Sequence, residues 1–216
     1  MTELYPIMID LKDRLVTIIG GGAVALRKAE DLLRCGARVH SIAPRMHAGF
    51  DRLAEEYGDQ LAVTMREYQH GDISESLLVI AATDDAEVNR AVFAEARERT
   101  ILINAVDDPP NCSFFLPSSY CKGDLIMSLS TGGASPAMAA RLRRELQKHI
   151  PDTIDATLEA LSEARCMLKS AALFAQLDTA SRGQILKSIV NDDARLEQLR
   201  TAFEHGGLED FLLAFL

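Results

Sequence analysis

The hydrophobic positions follow two rhythms, and the change between them divides the chain. Over roughly the first half, short β-branched runs alternate with stretches whose apolar residues recur every three or four positions. Residues 15–19 (Leu-Val-Thr-Ile-Ile) read as a strand packed on both faces, because Val, Ile and Thr suit a pleated surface. The spacing then predicts a helix over 23–35, with Gly36 placed to stop it. A second strand spans 37–43 and ends at Pro44, which cannot continue a central ladder. A helix over 46–57 and a third strand over 61–66 follow, and 77–82 forms a fourth strand, apolar throughout. Asp84 or Asp85 can cap a helix running to about residue 99, with Val88, Val92, Phe93 and Ala96 turned inward. Residues 101–106 make the fifth strand. Such alternation marks a parallel sheet wrapped by helices.

After Asn111 the rhythm changes. Residues 114–120 and 124–130 read as two strands joined around Lys122-Gly123. Ser135 is a natural N-cap and Pro136 a natural first helical residue, so a helix is expected from there to about residue 149, stopped by Pro151. From 152 to 216 the pattern is helical, with breaks near Ser170, Asn191 and Gly206-Gly207. The expected fold is α/β: a Rossmann-like parallel sheet, then a small β-β-α segment, then an all-helical C-terminal tail. Its domains are expected at 1–111, 112–150 and 151–216.

Composition narrows the partners. A chain of 216 residues can bury a substantial core. Its net charge of -9 argues against duplex nucleic acid and obliges any anionic ligand to find a local basic patch. The opening residues carry acids and a proline instead of a basic start and an apolar run, and the apolar stretch 77–82 is far too short to cross a bilayer. A cytoplasmic protein without a membrane partner is expected. Cys35, Cys112, Cys121 and Cys166 form no C-x-x-C pair, and the five histidines show no ligand spacing, so reduced thiols and no resident metal are expected.

The candidate chemistry begins at Gly20-Gly21-Gly22-Ala23-Val24-Ala25. Gly20 allows the tight turn, and Gly22 has no side chain to hold a pyrophosphate off the backbone. The helix starting at Ala23 aims its free N–H groups at the phosphates, while Ala25 is small where helix meets strand. Ligands of open parallel sheets sit outside the carboxyl ends of the strands, which brings in Thr83 and Asp84, and Asn104 to Asp108. Asp84 and Asp85 also read as helix caps. The acid that such a fingerprint expects near the end of the second strand is missing from residues 40–45, and Arg45 can meet a 2′-phosphate instead. The residues alone therefore leave NAD and NADP both open. Asp107, at a strand end, is the candidate general base, whereas Asp108 reads as a turn residue. Thr131-Gly132-Gly133 ahead of a helix makes a second anion-binding arrangement with outward N–H groups, and Arg141, Arg143, Arg144 and Lys148 follow on that helix. Cys112 reads as a small buried thiol.

Taken together, five stretches resemble the precorrin-2 dehydrogenase / sirohydrochlorin ferrochelatase family, the N-terminal module of siroheme synthases. They are Tyr5-Pro6-Ile7-Met8, the glycine loop through Lys28, Ala81-Ala82-Thr83-Asp84-Asp85, Asn104-Ala105-Val106-Asp107, and Ser130-Thr131-Gly132-Gly133-Ala134-Ser135-Pro136. The resemblance covers about residues 1–150. It implies NAD-dependent oxidation of precorrin-2 to sirohydrochlorin and, in bifunctional members, insertion of Fe²⁺ to give sirohaem. It places the general base on Asp107 and cofactor contacts on Ala23, Val24, Pro44, Arg45, Thr83 and Asp84, beside the Gly20 and Gly22 already read from the glycine loop. Asn104, Thr131, Gly132, Gly133, Ser135 and Arg141 become candidate contacts for the polycarboxylate substrate. It also implies a homodimer formed through 112–150. The chain stops short of the methyltransferase domain of the fused enzymes, so methylation is expected of another protein. Thr131 stands where some fused members carry a phosphorylated serine. The alternative from a different class is an NAD(H)-sensing regulatory domain that needs no base at Asp107.

Overall fold

The computed structural model describes residues 4–216 as two compact units, 4–116 and 117–216. Residues 1–3, at the head of the expected first domain, lie outside the described residues.

The first unit is a five-stranded parallel sheet. Strands β1 (Leu15–Ile19), β2 (Arg38–Ile42), β3 (Leu61–Thr64), β4 (Leu78–Ala81) and β5 (Leu102–Ala105) stand in the order β3-β2-β1-β4-β5. The order reverses between β1 and β4, which puts a crevice at their carboxyl ends. In β1, Val16 and Ile18 face one layer with Ala25, Ala29, Leu33, Phe50 and Leu53, from α1 (Ala23–Arg34) and α2 (Gly49–Tyr57). Ile19 faces the other layer with Val79, Ile103, Val92 and Ala96, the last two from α3 (Ala86–Glu98). Burial on both faces is what the continuous apolar runs demanded. Thr17 is fully buried on that second face, and its hydroxyl is satisfied by the Ser76 hydroxyl at 2.6 Å.

Two sequence expectations need correction here. The second helix starts at Gly49 instead of residue 46, because the segment before it is committed to the glycine loop. His47 donates its N–H to the Gly21 carbonyl at 2.7 Å, and its ring Nδ1 accepts from Gly49 N at 3.0 Å. The stretch 114–117 is not a strand. It belongs to a return loop beside β5, in which Ser113 N donates to the Ile103 carbonyl at 2.8 Å and Asn104 Nδ2 donates to the Phe114 carbonyl at 3.0 Å.

No helix lies between β3 and β4. The connection is tied down by charge instead. Arg66 grips Asp72 through two bonds of 2.7 Å, and Gln69 N donates to the same carboxylate at 2.8 Å. Glu95, 1% exposed on α3, accepts from the Tyr68 hydroxyl, from Gly71 N at 3.0 Å and from Arg99 Nε at 2.8 Å. This cluster fixes the loop that leads into β4.

The second unit opens with an antiparallel pair, β6 (Ser118–Lys122) and β7 (Leu125–Leu129), in the register Ser118↔Leu129. Helices α4 (Pro136–Gln147), α5 (Ile154–Ser170), α6 (Thr179–Val190), α7 (Asp193–Glu204) and α8 (Leu208–Leu213) follow. Ala160, Ala164 and Leu168 form the buried stripe of α5, packed with Phe174, Ile189, Leu199 and Leu212. The break near Ser170 is longer than expected, because a single 3-10 turn at Ala172–Phe174 seats Phe174 in this core. Among the described residues no helix is long and apolar enough to cross a membrane.

Candidate functional site

The crevice of the first unit is built around the glycine loop between β1 and α1. Gly20 adopts φ +145, and a Cβ there would lie 2.2 Å from the Ala82 carbonyl oxygen. A Cβ on Gly21 would lie 2.1 Å from the Arg45 carbonyl oxygen. These two glycines therefore let the chain turn between β4 and the segment after β2. Ser41, fully buried on β2, holds the turn by donating its hydroxyl to the Gly20 carbonyl at 2.9 Å.

Gly22 differs from both. Its backbone is extended (φ -80, ψ -173), and a Cβ there would meet nothing within 4 Å. The space in front of it is open. No side chain caps α1, and among the described residues the N–H groups of Ala23, Val24 and Ala25 have no acceptor; the first helical bond is Leu26 N to the Gly22 carbonyl at 3.0 Å. Free donors, the positive helix end and an unfilled cradle fit the pyrophosphate of a dinucleotide. A contrast follows. Gly22→Val is expected to keep the unfolding midpoint of the parent while weakening NADH binding at least ~10-fold, since about 1.4 kcal/mol is lost per decade. Gly20→Ala is expected to destabilise the unit by about 1–3 kcal/mol through overpacking and strain. Thermal unfolding beside a nucleotide fluorescence titration reads both.

The other cofactor candidates divide by what they are bonded to. Asp85 is the cap of α3, accepting from Glu87 N at 2.8 Å and Val88 N at 3.2 Å. Asp84 is exposed at the crevice. The Thr83 hydroxyl accepts from Asp85 N at 2.9 Å, and its carbonyl accepts from Asn89 Nδ2 at 2.9 Å. Asn89 Oδ1 is buried without a hydrogen-bond partner. Pro44 and Arg45 are exposed, and Arg45 makes no ion pair with any described residue. Ser41 and Asn89 were not anticipated from the sequence. Ser41 stands in the region searched for an acid, and Asn89 one helical turn after the Asp85 cap, so both positions carried a readable signal.

Asp107 follows β5. It is exposed, and φ +58 puts it in the left-handed region. Its neighbours are pinned: Val106 N donates to the Ala81 carbonyl at 2.9 Å, and the Asp108 carboxylate accepts from Asn111 Nδ2 at 2.7 Å. Burial, with the nearby Asp108 charge, raises the Cys112 thiol above its ordinary pKa, against the Ala105 N–H that opposes the shift. Cys112 is half-buried, where the sequence reading expected a buried thiol. Asn104 commits its amide nitrogen to the loop, at 3.0 Å from the Phe114 carbonyl and 3.6 Å from Cys112 Sγ.

In the second unit, Thr131 Oγ1 accepts from Ser135 N at 3.0 Å and Ser130 Oγ accepts from Gly132 N at 3.2 Å. Ala134 N donates to the Thr131 carbonyl at 3.1 Å and Met138 N to Ser135 Oγ at 3.2 Å. The loop therefore consumes most of its own donors, and among the described residues the N–H groups of Gly133 and Ala137 have no acceptor. Gly132 and Gly133, at φ +62 and +87, face open space where a Cβ would stand. Arg141 and Arg144 on α4 are exposed, whereas Arg143 donates to Gln147 at 2.8 Å and Lys148 pairs with Glu145 at 3.0 Å. Among the described residues no group of three or more His, Cys, Asp or Glu side chains could hold a metal ion.

The parallel sheet, its reversal point and the open cradle at Gly22 define a dinucleotide-binding protein. The chain belongs to a family described as putative NAD(P)-binding, whose model matches residues 7–118. Residues 122–149 match the model of the sirohaem biosynthesis protein central region, in line with the resemblance carried by the five motifs. It is 35% identical over 165 residues to siroheme synthase of Actinobacillus pleuropneumoniae serotype 3, covering 76% of this chain and 34% of that one. Against siroheme synthase of Pseudomonas aeruginosa (strain LESB58) it is 39% identical over 151 residues, covering 70% and 32%. The chain thus spans about a third of the length of these curated relatives. A solved structure of SirC, precorrin-2 dehydrogenase, superposes with a TM-score of 0.75 at 25% identity, covering 98% of each chain.

Proposed function

We propose that this chain oxidises precorrin-2 to sirohydrochlorin with NAD as acceptor, in the cytoplasm. What supports the reading most is the likeness to SirC over 98% of both chains, with an exposed carboxylate at Asp107 following β5. The oxidation removes two electrons and two protons from the macrocycle. The nicotinamide, when bound, supplies the acceptor for both electrons and one proton. The other proton needs a base on the protein, and the Asp107 carboxylate takes that part. Gly20, Gly22, Ala23 and Val24 hold the pyrophosphate, and Pro44, Arg45, Thr83 and Asp84 line the rest of the cofactor. Asn104, Thr131, Gly132, Gly133, Ser135 and Arg141 meet the substrate. The Gly133 N–H and the Arg141 guanidinium suit its carboxylates, which an acidic protein must otherwise repel.

The same reading makes the segment 112–150, between 1–111 and 151–216, the seat of a homodimer. Its support is a solvent-facing apolar stripe on α4, where Met138, Leu142 and Leu146 are 45%, 43% and 47% exposed at four-residue spacing. Ile126 on β7 is 52% exposed.

The test is a spectrophotometric assay of purified protein with precorrin-2 and NAD. NADH formation in step with the spectrum of sirohydrochlorin is the expected result; binding of NAD without turnover would replace this reading with the sensing one. Fe²⁺, as substrate of a second reaction, is then added to the same cuvette. Appearance of the sirohaem spectrum would make the protein bifunctional.

A further inference from the structure

Asp107 stands at φ +58, in the left-handed region that costs most L-residues roughly 1–2 kcal/mol and an aspartate less. The chain before it is held to the sheet, since Val106 N donates to the Ala81 carbonyl at 2.9 Å. The chain after it is held by one side chain above all. Cys112 Sγ accepts from Ala105 N at 3.2 Å, while its S–H faces the Ala105 carbonyl at 3.2 Å and the Asp108 carbonyl at 3.4 Å. One sulfur thus spans the turn from the residue two before Asp107 to the residue just after it. Further along, Ser113 is stitched to Ile103 through both its N–H and its hydroxyl, at 2.8 Å each. Asn104 closes the loop onto Phe114. The polar side chains of Asp108, Asn111, Cys112 and Ser113 are all bonded, within the loop or to β5, whereas that of Asp107 is exposed.

We propose that Cys112 is a positioning residue for the reaction: its sulfur clasps Ala105 to Asp108 and so fixes where the Asp107 carboxylate points. This rests on the reading of Asp107 as the base. The thiol suits the task because it both donates and accepts. Serine keeps both capacities at nearly the same place. Valine fills the space and has neither.

The experiment compares Cys112→Val, Cys112→Ser and Asp107→Asn with the parent. Turnover of precorrin-2 is followed across pH, and NADH titration and thermal unfolding serve as independent readouts. Misplacement of a reacting group costs up to ~100-fold, so Cys112→Val is expected to lower kcat about 10- to 100-fold with the KM for NAD unchanged. The acid limb of its kcat profile should move, and Cys112→Ser should restore most of both. Parent-like kcat and acid limb in folded Cys112→Val would overturn the proposal. So would a loss of kcat that serine does not restore. If Cys112→Val fails to fold, Cys112→Ser decides: a parent-like profile supports the clasp and a valine-like collapse of kcat refutes it. Failure of the underlying reading shows separately, as full turnover in Asp107→Asn.

Discussion

Asp107→Ala is expected to lose about 10²–10⁴-fold in turnover, the range of a positioned general base, while binding NADH as the parent does. The separation follows from placement. The cofactor cradle is made by backbone at Gly22 to Ala25, none of which hydrogen-bonds to Asp107. The backbone adds a second expected result. Asp and Asn tolerate the left-handed region better than other L-residues, and glycine adopts it freely. Asp107→Gly should therefore unfold at a higher temperature than the parent, by the equivalent of about 1 kcal/mol of relieved strain, and should still be inactive. Equal stability of Asp107→Gly and Asp107→Ala would show that strain at φ +58 is absent. Parent-like turnover in either would remove the base from the mechanism. A residue that stabilises the protein by leaving, and inactivates it by leaving, is held there for chemistry.

Much of this was legible in the sequence, for reasons that differ from element to element. The strands β1 and β4 were clear because a doubly buried strand has no polar position to confuse the pattern. The caps of α3 and α4 were clear because Asp85 and Ser135 do what their side chains do best at a helix start. The start of α2 was misplaced because residues 46–48 have helical composition. Their backbone is claimed by Gly21, and such a long-range bond leaves no local trace. The stretch 114–117 was misread for the same reason, since Asn104 and Ile103 capture the loop from ten residues away. Outward N–H groups at Thr131-Gly132-Gly133 were overcounted, because Ser130 and Thr131 satisfy several of them locally. The charge cluster of the β3–β4 connection went unread. Its one visible sign was Glu95 beside Ala96, three residues from Val92 on the inward stripe of α3.

That buried glutamate carries the second large expected effect. Burial alone would raise the Glu95 carboxyl, but hydrogen bonds from Tyr68, Gly71 and Arg99, with the charge of His70, outweigh it and hold it below its ordinary value. Asp72 lies low for a related reason, the two-bond grip of Arg66. Removing the partner at the centre of such a cluster strands the others, so Glu95→Ala is expected to cost about 3–5 kcal/mol. At ~4 °C or more per kcal/mol for a unit of this size, the midpoint of the first unit should fall by at least ~10 °C. Acid makes the same point without a mutation. A carboxyl whose folded pKa is depressed binds fewer protons folded than unfolded, so it stabilises fully above its unfolded value near ~4.3 and loses that contribution as pH falls further. Unfolding measured in urea from pH 7 down should therefore show stability falling steeply below about pH 4.5. Glu95→Gln, which cannot titrate, should flatten part of that slope. An unchanged slope would mean that Glu95 is not held low in the folded protein. The loop's ionic anchoring matters for the site because it delivers the chain into β4, whose far end carries Thr83 and Asp84 to the crevice.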